Sequence, residues 1–334
     1  MKQLPRPLKL ADLPTPVEKM SNLGRHLGHD SLYVKRDDLS SGLYGGNKVR
    51  KLEFLLAEAL DQSSPTLVTM GGIGSNHLLA TALHGRAQGL RTVGVVFPQP
   101  ITEHVRRNLA AFKGAGVELV FLPHKYALPA GVAWTLARLT LREGRRPLLI
   151  PGGGSSPLGA LGFVYAGLEL AEQVRDGLLP EPRKIFLPYG TGGTAVGLAL
   201  GLQLAGLNSQ VVAVRVIDRL LANRPRMLIF AKAVKWLLAR RGIQVPGQAG
   251  TNLQIDHGQI GPGYGYGTAA AEQARLLLEA QEGLETETTY TAKAAAAFID
   301  EARRTKLPML LWHTLNSADI ESWVAAGRRK ERGA

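Results

Sequence analysis

The stretch KRDDLSSGLYGGNKVRKLEFLLAEAL, residues 35–60, joins a glycine-bounded loop to a helix pattern. Lys48 lies at the end of that loop, directly before the helical segment. A lysine near the start of a helix opposes the helix dipole unless its charge has another use. The loop is not a P-loop, because Asn47 stands where that motif needs glycine and Val49 where it needs Ser or Thr. From these residues alone, Lys48 could be either a solvated surface lysine or a catalytic lysine.

Outward from this stretch, short apolar runs alternate with helix patterns. The runs are TLVTM at 66–70, TVGVVF at 92–97, VELVFL at 117–122, PLLIP at 147–151, KIFLPYG at 184–190 and VVAVRVI at 211–217. This rhythm predicts an α/β fold with parallel sheets, and runs that are apolar throughout predict helices on both faces of each sheet. The segment 228–242 predicts an apolar and basic helix that covers the sheet, with a membrane-surface helix as the alternative. A polar stretch without a strand signal follows it to residue 257.

Composition narrows the class of protein. The chain has 334 residues, 45% hydrophobic and 20% charged, which predicts a folded globular protein of two domains, with a crossing at the glycine-rich segment 151–162. It has no apolar run of membrane-spanning length and no signal-peptide pattern, so we expect a cytoplasmic protein that does not associate with a membrane.

The charged residues and the histidines bear on possible partners. The net charge of +13 predicts a solvated basic surface, not a nucleic-acid site, because the basic clusters lack interleaved aromatic residues. Cysteine is absent and the histidines lack metal-ligand spacing, so no metal is predicted.

A second glycine-rich loop, YGTGGTAVG at 189–197, follows an apolar run and precedes a helix pattern. Ala195 stands where a dinucleotide fingerprint needs its last glycine. Backbone amides and the helix dipole favour an anion at such a turn, and a tight turn that binds nothing is the alternative. The residues that would hold the anion are Gly190, Thr191, Gly192, Gly193 and Thr194.

These blocks resemble the family that contains 1-aminocyclopropane-1-carboxylate deaminase and D-cysteine desulfhydrase. The resemblance rests on residues 35–60, GSNH at 74–77, PGGGSSPLGALGFVYAGLEL at 151–170, YGTGGTAVGL at 189–198, GPGYG at 261–265 and YTAK at 290–293. It implies the tryptophan-synthase-β-like fold, fold type II of the pyridoxal 5'-phosphate (PLP) enzymes. A large domain of residues 1–50 and 161–334 and a small α/β domain of residues 51–160 would hold PLP between them. A homodimer is also implied.

The same resemblance assigns residues to PLP. Lys48 would carry the cofactor as a Schiff base and act as the base at the substrate Cα. Asn76 would bind the ring hydroxyl oxygen and Ser75 the substrate carboxylate, although Ser and Asn before an apolar helix are also common helix caps. Residues 190–194 would bind the phosphate, in agreement with the anion site predicted above.

Three further positions concern the reaction. Tyr264 and Tyr290 match tyrosines that lie over the substrate, where a phenol can move a proton near the leaving group. Thr291 stands at the position that faces the pyridine nitrogen of PLP. The cyclopropane deaminases have a glutamate there and the desulfhydrases have a threonine, so Thr291 favours β-elimination. Thr314 is a second candidate for the residue that faces this nitrogen.

The resemblance therefore implies a lyase that acts on a small amino-acid substrate, with β-elimination of D-cysteine or a similar β-substituted D-amino acid as the first expectation. Deamination of 1-aminocyclopropane-1-carboxylate and a PLP-binding protein with lost activity are the alternatives. The sequence departs from the family at Ala292, at Leu78 and Leu79 in place of an Arg-Gln pair, and at Leu315 and Asn316 in place of two glycines. These changes leave the exact substrate open.

Overall fold

The computed structural model describes residues 6–332, which form two β-sheets covered by helices. The strands are β1 (Val17–Lys19), β2 (Leu32–Arg36), β3 (Thr66–Gly72), β4 (Arg91–Phe97), β5 (Glu118–Phe121), β6 (Leu148–Ile150), β7 (Lys184–Tyr189), β8 (Gln210–Arg215), β9 (Leu253–Asp256) and β10 (Met309–His313). The helices are α1 (Ser21–Leu27), α2 (Val49–Asp61), α3 (Asn76–Ala87), α4 (Glu103–Ala115), α5 (Leu128–Glu143), α6 (Pro157–Arg175), α7 (Gly193–Ala205), α8 (Arg224–Ala239), α9 (Ala269–Glu282), α10 (Thr291–Ala302) and α11 (Glu321–Arg332).

The larger sheet has the order β1-β2-β10-β7-β8-β9 and is parallel except for β1. Successive residues of its strands point to opposite faces, so Ile185 and Leu187 pack with α6 and α7, whereas Phe186 packs with α10. Both faces are therefore buried, as the unbroken apolar runs predict.

The smaller sheet, β5-β4-β3-β6, is parallel throughout. Leu67 packs with α2 and α3 on one face, and Val68 packs with α5 on the other. All strands of this sheet lie between residues 66 and 150, and the strands of the larger sheet lie on either side of that range in sequence. The domain bounds given above stay a prediction.

The six apolar runs all form strands, within two residues of their predicted ends. The interpretation of the segment before residue 257 as strandless was wrong, because β9 lies within it. That strand has four residues and pairs only with β8 at the edge of the sheet, so it carries little apolar pattern. The predicted helix at 228–242 corresponds to α8, which packs on α6 and α7.

Two glycines allow the loop before α2 to lie directly against neighbouring backbone. A Cβ on Gly45 would lie 2.2 Å from the carbonyl oxygen of Asp38, and one on Gly46 would lie 2.7 Å from that of Thr314. Gly46 also has φ of 86°, which side chains disfavour. The loop can thus lie directly on the chain after β10, and this contact places Lys48 at the carboxyl end of the larger sheet.

A buried ion-pair network secures the start of α2. Arg50 Nη2 lies 2.8 Å from Asp37 Oδ1 and Arg50 Nη1 lies 2.8 Å from Glu169 Oε2. Lys35 Nζ is 2.6 Å from the other oxygen of Glu169. Burial raises the pKa of Glu169, but its bonds to Arg50 and Lys35 outweigh that effect and hold the pKa at about 2. The network joins β2, α2 and α6 beneath the loop of Lys48.

The last helix packs on the small sheet's side of the molecule, where α11 crosses α4. Glycines allow the two backbones to touch, since a Cβ on Gly327 would lie 1.8 Å from the Ala110 carbonyl oxygen and one on Gly114 would lie 2.0 Å from that of Trp323. Among the described residues, the helices include none that is both long and apolar enough to cross a bilayer.

Candidate active site

Lys48 is the last residue before α2, and its side chain is partly buried. Its Nζ lies 2.6 Å from Asn47 Oδ1. Burial lowers the pKa of Lys48 to about 8, against the opposing attraction of the Glu287 carboxylate. About a tenth of this amine is therefore unprotonated at pH 7, far more than for an ordinary lysine, and only the unprotonated form acts as a nucleophile or base.

The loop after β7 gathers hydrogen-bond donors, as an anion site requires. Ser155 Oγ lies 2.6 Å from Thr191 Oγ1 and accepts the backbone N–H of Gly193 at 3.0 Å. A Cβ on Gly193 would lie 2.7 Å from Ser155 Oγ and 3.0 Å from Lys51 Nζ, so a glycine keeps this space open. Thr194 Oγ1 accepts a hydrogen bond from Asn47 Nδ2 at 2.9 Å, which ties the loop to the Lys48 segment.

Lys51 adds a buried amine to this space. Its Nζ donates to the Gly153 carbonyl at 3.0 Å, and within residues 6–332 no carboxylate forms an ion pair with it. Burial, then the charge of Lys48, lowers its pKa well below the usual value. Burial disfavours the charged form of this amine, and an anion bound beside it would stabilise that form. The arrangement therefore suits a phosphate, and this set of donors fits the PLP phosphate that the resemblance implies.

Ser75 and Asn76 lie at the carboxyl end of β3, where α3 begins. Ser75 is the helix N-cap, since its Oγ accepts the backbone N–H of Leu78 at 3.3 Å. The Asn76 carboxamide oxygen accepts a hydrogen bond from Asn108 Nδ2 at 2.9 Å and lies 2.7 Å from His104 Nε2. Ser75 thus has the capping role that the sequence allowed, and its proposed role toward a substrate stays a prediction.

The two predicted tyrosines meet, with their hydroxyl oxygens 2.7 Å apart. Burial raises the pKa of both, most strongly that of Tyr290, so both are neutral phenols at neutral pH. Lys293, one turn along α10, donates to the Ile260 carbonyl at 2.7 Å and so holds the segment that carries Tyr264.

The two candidate pyridine partners also meet, with Thr291 Oγ1 3.0 Å from Thr314 Oγ1. Thr291 is fully buried at the first turn of α10. The Glu287 carboxylate accepts the backbone N–H groups of Thr289, Tyr290 and Thr291 at 2.8 to 3.1 Å. Burial outweighs these bonds and raises the pKa of Glu287 to about 7.

One of the departures from the family has a structural explanation. Asn316 Oδ1 accepts the backbone N–H of Gly45 at 2.5 Å and that of Ala318 at 3.0 Å. This side chain therefore fastens the loop before Lys48 to the segment after β10. The buried Leu78 and Leu79 pack in the core of the smaller sheet.

Sequence reasoning missed five contributors to this region: Lys51, Ser155, Glu287, His104 and Asn108. A signal existed for some of them. Glu287 lies four residues before α10, outside the first turn where acidic residues mark a helix start, so the sequence carried no signal for it. His104 and Asn108 are four residues apart, the spacing that places two side chains on one helical face. Lys51 lies three residues beyond Lys48, in the first turn of α2.

Comparisons with known proteins agree with this geometry. The family model described as pyridoxal-phosphate dependent enzyme matches residues 8–309. The D-cysteine desulfhydrase of Salmonella choleraesuis (strain SC-B67) is 34% identical over 317 residues, covering 92% of this chain and 93% of that protein. The D-cysteine desulfhydrase of Salmonella newport (strain SL254) is 33% identical over the same shares of both chains.

Solved structures extend the comparison. A crystal structure described as an ACC deaminase homologue has a TM-score of 0.80 at 29% identity and covers 96% of both chains. A solved threonine deaminase has a TM-score of 0.61 at 20% identity, over 91% of this chain and 93% of that one, and it shares the fold alone.

Proposed function

Because this chain belongs to the family of pyridoxal-phosphate-dependent enzymes, we propose that it is a lyase that eliminates the thiol of D-cysteine or of a similar β-substituted D-amino acid. With D-cysteine and one water, the products are pyruvate, ammonia and hydrogen sulfide. The Cα proton is removed, the Cβ–S bond breaks with its electron pair leaving on sulfur, and the amino group is released by hydrolysis.

The observation that carries this proposal is the pair of hydroxyls, Thr291 and Thr314, at the position assigned to the pyridine nitrogen. A hydroxyl does not hold that nitrogen protonated as a carboxylate does. PLP supplies an electron sink for the charge that forms at Cα, and this sink is weaker when the nitrogen is unprotonated. A weaker sink suffices where a thiol leaves from the neighbouring carbon.

The chain's own residues take the remaining roles in the proposal. Lys48, with its lowered pKa, moves the proton at Cα. Lys51, Ser155 and the loop 190–194 hold the phosphate, and Asn76 donates to the ring oxygen. Ser75 binds the substrate carboxylate. The Tyr264 and Tyr290 hydroxyls, 2.7 Å apart, pass a proton to the departing sulfur.

Deamination of 1-aminocyclopropane-1-carboxylate is the second candidate. It is favoured by the similarity to the solved ACC deaminase homologue, which extends over 96% of both chains. We also propose a cytoplasmic homodimer, for which the family resemblance is the support.

The test uses purified protein loaded with PLP. D-cysteine, L-cysteine, D-serine and 1-aminocyclopropane-1-carboxylate are supplied in turn, and pyruvate, 2-oxobutanoate and sulfide are assayed. We expect pyruvate and sulfide from D-cysteine. The visible absorption band of the bound cofactor should vanish in Lys48→Ala and persist in Lys232→Ala, which removes an exposed lysine of α8.

Each other result has a definite meaning. Formation of 2-oxobutanoate from the cyclopropane substrate alone would favour the second candidate. A band without any product would identify a PLP-binding protein, and the absence of a band after adding PLP would refute the cofactor site.

A further inference from the structure

Two side chains of α4 bind one atom of the active-site region. His104 Nε2 lies 2.7 Å and Asn108 Nδ2 lies 2.9 Å from Asn76 Oδ1. They stand on the first two turns of α4, and neither has a role in the function proposed above. The bonds decide which end of the Asn76 carboxamide faces α4.

The orientation of Asn108 is fixed by a backbone group. Its Nδ2 also lies 2.9 Å from the Gly74 carbonyl oxygen, which can only accept. The nitrogen of Asn108 must therefore be the atom on this side. Because that nitrogen only donates, the atom of Asn76 that it meets must be the oxygen. Asn108 is 1% exposed, so solvent does not compete for these bonds.

His104 reinforces the same choice. Burial, then the charge of Arg107, lowers its pKa, so the ring is neutral at neutral pH. A neutral imidazole carries one N–H. The Asn76 oxygen can only accept, so its 2.7 Å contact places that proton on His104 Nε2, and the longer 3.3 Å approach of Asn108 Nδ2 to the same nitrogen then joins two donors and is not a hydrogen bond. With two donors on the oxygen, Asn76 Nδ2 is directed away from α4. No described residue accepts a hydrogen bond from it.

We propose that His104 and Asn108 are positioning residues that keep the Asn76 N–H groups toward the PLP ring oxygen. This inference rests on the proposed function, in which Asn76 contacts that oxygen. A donor stabilises negative charge on the ring oxygen, and a carboxamide turned by half a rotation would present its own oxygen and repel that charge. The pair acts through Asn76 and does not touch the cofactor.

The experiment reverses or removes each donor in the PLP-loaded enzyme. Asn108→Asp keeps the shape of the side chain and replaces the donor with an acceptor. His104→Leu removes a donor, and His104→Gln keeps an N–H on a side chain of similar length. Arg106→Gln, at an exposed position of the same helix, is the matched control. Three quantities are measured: PLP released per chain on denaturation, the absorption spectrum, and kcat and KM separately.

We expect Asn108→Asp and His104→Leu to retain PLP but to shift its absorption from the visible toward the near ultraviolet, the form with a protonated ring oxygen. Their kcat should fall by about tenfold or more, the effect of losing a hydrogen bond of about 1.4 kcal/mol. His104→Gln and Arg106→Gln should keep the wild-type spectrum.

A wild-type spectrum and kcat in both Asn108→Asp and His104→Leu would overturn the inference. If Asn108→Asp does not fold, the half-buried His104 still decides the question. A wild-type protein that binds no PLP would refute the proposed function and this inference together. A wild-type protein that binds PLP but prefers another substrate would refute only the proposed substrate, because the spectrum does not depend on the substrate.

Discussion

At the scale of single residues, the lowered pKa of Lys48 is open to direct measurement. In PLP-free protein, its reaction with an acylating reagent should reach half its maximal rate near pH 8, because only the unprotonated amine reacts. Lys125, whose pKa is raised by its hydrogen bond to Asp218, is the internal control and should react only at higher pH. Peptide mass spectrometry resolves the two sites, and coincident profiles would contradict the prediction.

Thr291 should matter through its hydroxyl and not through its shape. Thr291→Val keeps the volume and removes the bond to Thr314, so we expect kcat for D-cysteine to fall by about tenfold to a hundredfold, which corresponds to about 1–3 kcal/mol for a buried hydrogen bond. Thr291→Ser keeps the hydroxyl and should lose much less. Equal activity in the two variants would show that the hydroxyl has no part in the reaction.

Single residues also show which contacts can be predicted from the sequence and which cannot. Thr291 and Thr314 were each predicted as partners of the pyridine nitrogen, and the structure places their hydroxyls in contact. Asn108 was not predicted, because its bond to Asn76 joins residues 32 positions apart and depends on how α4 packs. Local patterns identify a residue type, whereas its partner is decided by tertiary contacts.

At the scale of elements, Glu287 caps the start of α10 and should make stability depend on pH. Its folded pKa of about 7 lies above the usual value of 4.5, so the folded state binds this proton more tightly than the unfolded state. Its contribution to stability is complete below pH 4.5 and is lost as the pH rises through 7.

Glu287→Gln removes this titration. From pH 4.5 to 7, the free energy of unfolding of PLP-free wild type should therefore decrease relative to that of the variant. Urea denaturation at a series of pH values measures the difference. A difference that is constant with pH would contradict the raised pKa.

The crossing of α4 and α11 should tolerate no side chain at its glycines. Gly327→Ala would place a Cβ 1.8 Å from a backbone oxygen of α4 and should lower the free energy of unfolding by about 1–3 kcal/mol. Gly42→Ala is the control, because its Cβ would meet no atom within 4 Å and its φ is unexceptional. If both variants unfold at the same denaturant concentration, the helices can separate at little cost.

The elements were the most predictable part of the molecule. Long apolar runs such as those of β4 and β8 are covered on both faces and therefore carry a strong pattern in the sequence. The short edge strands β1 and β9 have three and four residues, and pairing with a neighbour defines them more than their own composition does. The predicted fold, type II of the PLP enzymes, is confirmed by the two helix-covered sheets and the solved relative.

At the scale of the whole molecule, we expect a homodimer. Light scattering coupled to size-exclusion chromatography should give twice the mass of one chain over a wide range of protein concentrations. A mass that falls to that of one chain on dilution would indicate a weak association, and the mass of one chain throughout would refute the dimer. High salt should not dissociate the dimer through the net charge of +13, because salt screens the repulsion between two chains of like charge.

The pairing of β2 with β10 has a consequence for synthesis on the ribosome. β2 ends at residue 36, and its central-sheet neighbour begins at residue 309. The smaller sheet, by contrast, has all its strands once residue 150 has emerged. The nascent chain can therefore assemble the smaller sheet early. The strand before the Lys48 segment cannot pair with β10 until the last tenth of the chain has been synthesised. A chain stalled before residue 309 should expose β2 to chaperones and should be unable to retain PLP.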